Sequence, residues 1–340
     1  MENRNRQVLL KRRPTGSPTV ADFDIADGPV PDPGEGEVLV RGIYLSLDPY
    51  MRGRISGARS YARPVDVGAV IEGRVVGQVA RSRDPAFREG DCVYGGYGWQ
   101  LYSAVPGKDL LKLDPAEAPL STALGVLGMP GLTAFVGLSE IGRPQRGETV
   151  VVSAASGAVG AVVGQLARRA GAHAVGIAGG ADKCRYVEAE LGFDACIDHR
   201  SGDLGAALDR ACPNGIDVYW ENVGGAVQQA VFPRLNDFGR MVMCGMVSEY
   251  NDVEPRPGPN LMAVVRKRIK IQGFIVSDQW QRFGEYRAMA APLVRSGELK
   301  YREDIVDGLD RAPEAFIGLL QGRNFGKLLV KLSEDPTRRV

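Results

Sequence analysis

The chain is 340 residues long, 44% hydrophobic and 24% charged, an ordinary globular composition with room for two domains or one large one. Its 42 basic and 41 acidic residues leave a net charge of +1, so no strong field draws it to nucleic acid or an anionic membrane, and small molecules are the expected partners. No apolar run nears the roughly 20 residues that span a bilayer, and residues 8–10 are too short a stretch for a signal-peptide core. Five scattered cysteines with no Cys-x-x-Cys spacing argue against a disulfide framework or a zinc knot, and a reducing, cytoplasmic setting fits that usage.

The first third is rich in Gly and Pro and carries short β-type runs at residues 37–41, 69–76 and 91–94. Turn chemistry such as Pro31-Asp32-Pro33-Gly34-Glu35-Gly36 separates them, so a small, mostly antiparallel β domain is expected. From about Gly147 the pattern changes. An apolar strand over residues 149–153 leads through a glycine turn into helical spacing over 159–170, and further strands are expected at 174–177, 216–220, 240–244 and 269–274. Strands alternating with helices imply a doubly wound parallel sheet, and the fold class is therefore α/β. A helix over residues 312–320 and a strand over 327–331 are expected to return to the first domain.

The turn Ala154-Ala155-Ser156-Gly157-Ala158-Val159-Gly160 lies between a strand and a helix, as a nucleotide-binding turn must. Gly157 would let backbone approach a pyrophosphate, Gly160 would let the helix pack on the strand, and the helix N-terminus would supply N–H groups and a positive dipole end. Ala155 takes the first place of the usual three-glycine fingerprint, so a bare strand-to-helix turn stays open as the other reading. An NAD enzyme would place an acidic residue about 20 residues into the unit to hold the ribose hydroxyls. Here that stretch is Ile177-Ala178-Gly179-Gly180-Ala181-Asp182-Lys183. Small residues leave room for an added phosphate, and Lys183 is either a cation for it or a solvated helix residue. His199 and Arg200 could close the other side, and Asp182 reads as a helix cap. NADPH is favoured over NADH.

Several further segments complete a resemblance: Leu47-Asp48-Pro49-Tyr50-Met51-Arg52, Gly128-Met129-Pro130-Gly131-Leu132-Thr133-Ala134, Glu221-Asn222-Val223-Gly224-Gly225, Cys244-Gly245-Met246-Val247-Ser248-Glu249-Tyr250-Asn251, Gln272-Gly273-Phe274 and Asn324-Phe325-Gly326-Lys327. In this order, with the glycine turn, they span nearly the whole chain. The sequence resembles the zinc-independent medium-chain dehydrogenase/reductase branch that holds prostaglandin/leukotriene reductases, plant alkenal double-bond reductases and bacterial curcumin reductase. The resemblance implies a Rossmann-type NADPH-binding domain over residues 123–299 and a GroES-like, mostly antiparallel β catalytic domain over 1–122 and 300–340. It implies that Met129 and Thr133 line the nicotinamide end, that Gly157, Ala158 and Val159 hold the pyrophosphate, and that Lys183 meets the adenosine phosphate. His199 stands where many relatives carry Tyr. Asn222, the loop carrying Cys244, Ser248 and Tyr250, then Phe274, Ile275, Val276 and Asn324 resemble the remaining cofactor contacts, with turn and packing roles as the alternative. A homodimer through the nucleotide domains is also implied.

No metal is expected. In zinc-dependent relatives Cys and His ligands stand where this chain has Tyr44-Leu45-Ser46-Leu47 and Val70-Ile71-Glu72-Gly73, and its 2 histidines, His173 and His199, both fall in the nucleotide domain. The expected chemistry is NADPH-dependent reduction of the C=C bond of an enone, a 2-alkenal or a curcumin-like substrate, by hydride transfer to the β-carbon and protonation of the enolate. A tyrosine, protonated at neutral pH, suits the task of donating to the carbonyl oxygen. Tyr250 is the first choice among 11 tyrosines, with Tyr50 and Tyr61 as substrate contacts. Pro49, Met51 and the stretch from Tyr97 to Trp99 add aromatic and flexible apolar surface, suited to a conjugated substrate in a cleft between domains, or else plain packing. The competing readings are an NADPH-dependent quinone oxidoreductase, an alcohol dehydrogenase, and a non-catalytic NADPH-binding protein.

Overall fold

The computed structural model describes residues 4–58 and 60–338. In chain order it begins with strands β1 (Arg4–Leu10), β2 (Phe23–Pro29) and β3 (Glu37–Ser46), a single helical turn α1 (Met51–Arg54), and strands β4 (Arg74–Ser82), β5 (Cys92–Gly96), β6 (Tyr102–Pro106) and β7 (Leu111–Leu113). There follow α2 (Met129–Val136), β8 (Thr149–Ser153), α3 (Gly160–Arg169), β9 (His173–Ala178), α4 (Ala181–Ala189) and β10 (Ala195–Asp198). Next come α5 (Leu204–Ala211), β11 (Ile216–Glu221), α6 (Gly225–Val231), β12 (Leu235–Met243), α7 (Met262–Lys267), β13 (Lys270–Gly273) and α8 (Phe283–Ser296). The chain ends with β14 (Glu303–Asp307), α9 (Ala312–Leu320) and β15 (Lys327–Lys331). It divides into two compact units, one of residues 1–124, 303–324 and 328–340, the other of 125–302 and 325–327.

In the first unit β1 and β2 form an antiparallel pair, and a seven-stranded sheet runs β14-β15-β3-β4-β5-β7 with β6 on β3. The nearly unbroken apolar run of β3 fits its central place, with β4, β6 and β15 all antiparallel to it. The expected strand over 69–76 is shifted: β4 starts at Arg74. Residues 69–71 instead bond to β1, through Leu10 N–H to the Ala69 carbonyl (2.9 Å) and Ile71 N–H to the Val8 carbonyl (3.1 Å). Gly73 makes the corner, since a Cβ there would stand 2.8 Å from Leu45 and 2.9 Å from Trp99. Trp99 is fully buried, stacked on Phe23 at 6.0 Å and met edge-on by Phe316 of α9 at 5.6 Å, so it is core rather than a cleft wall.

The second unit holds a parallel sheet of order β10-β9-β8-β11-β12-β13. Counted from β8 this is 3-2-1-4-5-6, the Rossmann order, and the α/β class expected from the alternation is the one observed. All of β8 is buried, as a central parallel strand covered on both faces should be. β12 starts earlier than expected, at Leu235, because Leu235 pairs with Ile216 before an irregularity in register delays the regular ladder to Arg240. Among the described residues no helix is long and apolar enough to cross a membrane.

Gly164 of α3 packs against Phe193, in the segment between α4 and β10, and a Cβ there would come within 1.8 Å of the Phe193 ring. Gly164→Ala is expected to lower stability by about 1–3 kcal/mol through overpacking, and Phe193→Leu in the same chain should recover part of it. Urea unfolding of the single and double variants measures both.

Candidate active site

The strand-to-helix turn after β8 closes on its own backbone. Gly157 N–H donates to the Ala154 carbonyl (2.9 Å), and a Cβ at Gly160 would stand 2.4 Å from that same oxygen, so position 160 admits only glycine without a shift. Ala154 itself takes the left-handed conformation, at φ 51°. No side chain caps α3, which leaves its first-turn N–H groups without the usual side-chain acceptor. Gly157, Ala158 and Val159 are half-buried above them. The alanine in the first fingerprint position is explained across the sheet: a Cβ at Gly176 of β9 would lie 2.8 Å from the Ala155 Cβ. The bare backbone is needed at 176, a pairing no linear motif displays.

At the end of β9 the chain turns through Gly179 and Gly180, the latter at φ 103°. Gly180 N–H (2.8 Å) and Arg200 N–H (3.0 Å) both donate to Asp198 Oδ1, and those two bonds hold the Asp198 carboxyl below its usual pKa. The bare Cα of Gly179 leaves space for His199 and Arg200, whose Nε2 and Nε would each be 2.9 Å from a Cβ there. Partial desolvation first, then the Arg200 and Lys183 charges, lower the His199 pKa, with Asp198 opposing. Lys183, His199 and Arg200 thus share one locality. Asp182 is not the helix cap: Gly180 occupies that position, and Asp182 sits in the first turn of α4, paired with Arg185. Its charge still favours the helix N-terminus.

The carboxyl ends of β8 and β11, where the strand order reverses, are tied by side chains. Ser153 Oγ donates to Glu221 Oε1 (3.0 Å), which also accepts from the N–H groups of Val223 (2.7 Å) and Gly224 (3.0 Å). Asn222 donates through Nδ2 to the Ser153 carbonyl (2.6 Å) and accepts from Trp220 Nε1 (3.1 Å). Neither Ser153 nor Glu221 was singled out from sequence, although a polar residue closing each of two apolar strands is a readable signal. The following loop is laid onto this knot: Cys244 and Gly245 N–H donate to the Glu221 carbonyl, Val247 N–H to that of Asn222, and Ser248 N–H to that of Val223, all at 2.9–3.1 Å. Burial pushes the Cys244 thiol up to about 12, so it stays neutral. Among the described residues the Ser248 hydroxyl is buried without a hydrogen-bond partner. Half-buried Tyr250 folds back so that its hydroxyl would be 2.7 Å from a Cβ at Gly245.

The other expected contacts, Asn324 excepted, are on further elements of this unit. Thr133 Oγ1 donates to the Met129 carbonyl (2.8 Å) within α2. Phe274 meets Trp220 edge-on at 6.0 Å, and Ile275 and Val276 follow it, half-buried, out of β13. Asn324, half-buried, belongs to the first unit and immediately precedes Phe325, whose ring lies under Arg302 at 4.0 Å.

In the first unit Tyr50 and Tyr61 are brought together by a residue that sequence reading passed over. The Arg54 guanidinium lies 5.7 Å from the Tyr50 ring centre and 4.9 Å from that of Tyr61. Burial raises the pKa of both tyrosines; at Tyr50 the Asp48 charge adds to it, and at Tyr61 the Arg54 charge opposes it. Both phenols are protonated at neutral pH and able to donate. Among the described residues no group of three or more His, Cys, Asp or Glu side chains is placed to hold a metal ion.

The 3-2-1-4-5-6 sheet with its glycine turn, in a chain that also forms an antiparallel β unit, defines the class of two-domain proteins with a Rossmann dinucleotide-binding fold. Residues 6–113 match the family described as the N-terminal domain of oxidoreductase, and residues 158–294 the one described as zinc-binding dehydrogenase. The NADPH-dependent curcumin reductase of Escherichia coli is 49% identical over 340 residues, covering 98% of this chain and 99% of that one. The NADP-dependent 2-alkenal reductase of Nicotiana tabacum is 42% identical over 97% of this chain and 98% of its own. The crystal structure of CurA in complex with NADPH from Vibrio vulnificus superposes with a TM-score of 0.92 at 46% identity, over 97% of this chain and 100% of that one. The chain belongs to the medium-chain dehydrogenase/reductase group of curcumin, alkenal and prostaglandin reductases.

Proposed function

We propose that the protein is an NADPH-dependent reductase of the C=C bond of α,β-unsaturated ketones and aldehydes. The observation that carries the choice of cofactor is the pair His199 and Arg200 packed over Gly179 at the end of the second strand, with the Lys183 charge close enough to act on His199. Two cations and an imidazole that can take up a proton stand where an NAD enzyme needs one carboxylate. The reaction class rests on relatives at 36–49% identity, named for curcumin, 2-alkenal, pulegone and prostaglandin reduction.

The residues present fit the cofactor. The uncapped start of α3 and the close turn at Gly157, Ala158 and Val159 would take the pyrophosphate, with Lys183, His199 and Arg200 on the adenosine phosphate. Met129, Thr133, Asn222, Cys244, Ser248, Tyr250, Phe274, Ile275, Val276 and Asn324 are the proposed remaining contacts. The unpartnered Ser248 hydroxyl is a donor suited to that use. When bound, NADPH supplies a hydride to the electron-poor β-carbon of the substrate. The chain's task is to stabilise the charge that then grows on the carbonyl oxygen. The Tyr250 hydroxyl donates to that oxygen as the enolate develops, which lowers the barrier by charge stabilisation without a metal. Tyr50 and Tyr61 offer ring faces to a conjugated substrate. Five free thiols suit a reducing compartment such as the cytoplasm.

The nucleotide unit also presents an apolar edge: Ile271 on the outermost strand β13 is 40% exposed, and Leu261, Met262 and Val265 on or beside α7 are 60%, 59% and 73% exposed. An unpaired strand edge beside exposed aliphatics favours a second copy of the chain, and we assign the homodimer to this face. Light scattering should report a dimer for the native chain and a monomer for Val265→Glu; a native monomer would remove the assignment.

Chelator-treated protein is expected to consume NADPH with a 2-alkenal or a diaryl dienone and to form the saturated carbonyl compound. Tyr250→Phe should lower kcat about 100-fold. Turnover of a simple quinone alone would favour the quinone oxidoreductase, and cofactor binding without turnover the non-catalytic binder. For the cofactor, Lys183→Ala and His199→Ala should each weaken NADPH about tenfold while leaving NADH binding little changed, roughly the effect of losing one charge-assisted bond. His199 has a lowered pKa in the free protein, and a bound phosphate would raise it, so binding takes up a proton. NADPH affinity should therefore increase as pH falls from about 8 to about 6.5, near the ordinary histidine value. Titration by fluorescence at several pH values should lose that slope in His199→Ala.

A further inference from the structure

Arg54 is held in an unusual way. Its side chain is 14% exposed, at the last position of the single turn α1. The rings of Tyr50 and Tyr61 lie beside the guanidinium, and the carboxylate of Glu72 is 57% exposed and stands 3.6 Å from Nε, too far to accept a hydrogen bond. Among the described residues Nε and Nη1 are buried with no hydrogen-bond partner. Most buried guanidinium groups are saturated by carboxylates or carbonyls, as Arg52 is by the Pro14 and Gly16 carbonyls two positions away. The aromatic rings meet the Arg54 charge without accepting a hydrogen bond from Nε or Nη1. Tyr61, which covers the guanidinium, is itself 57% exposed, so the group lies directly beneath an aromatic surface open to solvent.

We infer that Arg54 determines substrate specificity by binding a planar, two-oxygen anion on the substrate, a carboxylate or the enolate of a 1,3-dicarbonyl. The inference rests on the reductase reading for the role of Tyr50 and Tyr61 as substrate contacts. A delocalised anion matches the fork of a guanidinium with two parallel charge-assisted bonds, and an ammonium group in its place would not reproduce that geometry. The flanking rings would then stack on the conjugated part of the same molecule. Glu72, held only by the long contact, is the ion that the substrate replaces.

The test compares matched pairs: 2-alkenals ending in a carboxylate against their methyl esters, and an enolisable diaryl 1,3-diketone against its 2,2-dimethyl analogue, which cannot enolise. The native protein should prefer the member that carries or can form the anion, in at least one pair, by about tenfold in kcat/KM, through KM, as one good charge-assisted contact provides. The pair that shows it identifies the source of the anion. In Arg54→Gln the ratio should collapse toward one, and Arg54→Lys should restore only part of it. No preference in either pair, or a ratio kept while both members fall together, would overturn the inference. If no pair is reduced, the reductase reading fails separately. Binding of the saturated acid and its ester, followed by tryptophan fluorescence, then decides Arg54: tighter acid binding lost in Arg54→Gln upholds the anion site, and equal binding removes it.

Discussion

The nucleotide unit depends on one buried carboxylate. Glu221 closes β11 with no exposed surface, and a polar group so placed costs stability unless donors meet it. Ser153 and the N–H groups of Val223 and Gly224 do so at a single oxygen. This joins the ends of β8 and β11 at the point where the strand order reverses, and it bends the chain after 221 into a tight turn. The backbone carbonyls of residues 221–223 are thereby presented to the loop from Cys244 to Tyr250, which hangs on them by four hydrogen bonds from Cys244, Gly245, Val247 and Ser248. The proposed oxyanion donor is positioned through backbone, starting from a buried side chain that touches no substrate.

Two further constraints are absences of side-chain atoms. Gly160 and Gly176 leave the space in which the turn after β8 and Ala155 pack, and Gly179 leaves the space in which His199 and Arg200 lie. Each cleared volume sits beside a group able to meet phosphate: the uncapped start of α3 in the first case, a set of cations in the second. A net charge of +1 conceals this arrangement, because the cations are opposed elsewhere by carboxylates in salt bridges that are mostly exposed. Local placement of charge, not its sum, is what distinguishes an adenosine phosphate site.

The chemistry and the architecture agree on a division of labour. The proposed reaction draws its reducing power from the cofactor and its charge stabilisation from hydroxyl groups. The first unit contributes a different resource, a cation clamped between aromatic rings. Such a group is rigid and poorly hydrated, properties that favour selection among substrates over proton transfer.

Local pattern was enough for the elements with strong periodicity. The apolar run of β8, the helical spacing of α3 and α9 and the short apolar run of β15 are consequences of covalent order, and the α/β class follows from the alternation of strands and helices. The family was likewise legible, because its short motifs keep their order along the chain. What sequence could not supply were relations between residues distant in the chain. The start of β4 was decided by β1, which draws residues 69–71 to itself. The role of Asp182 was decided by Gly180, whose N–H turns instead to Asp198. The alanine at 155 made sense only against Gly176, and Arg54 emerged only when Tyr50 and Tyr61 closed on it. The sequence by itself determined which segments are strands and helices and which residue types are available for chemistry, since those depend on neighbours within a turn or two. Only the tertiary structure decided which of them share a space, because hydrogen bonds and steric contacts between remote strands have no signature in linear order.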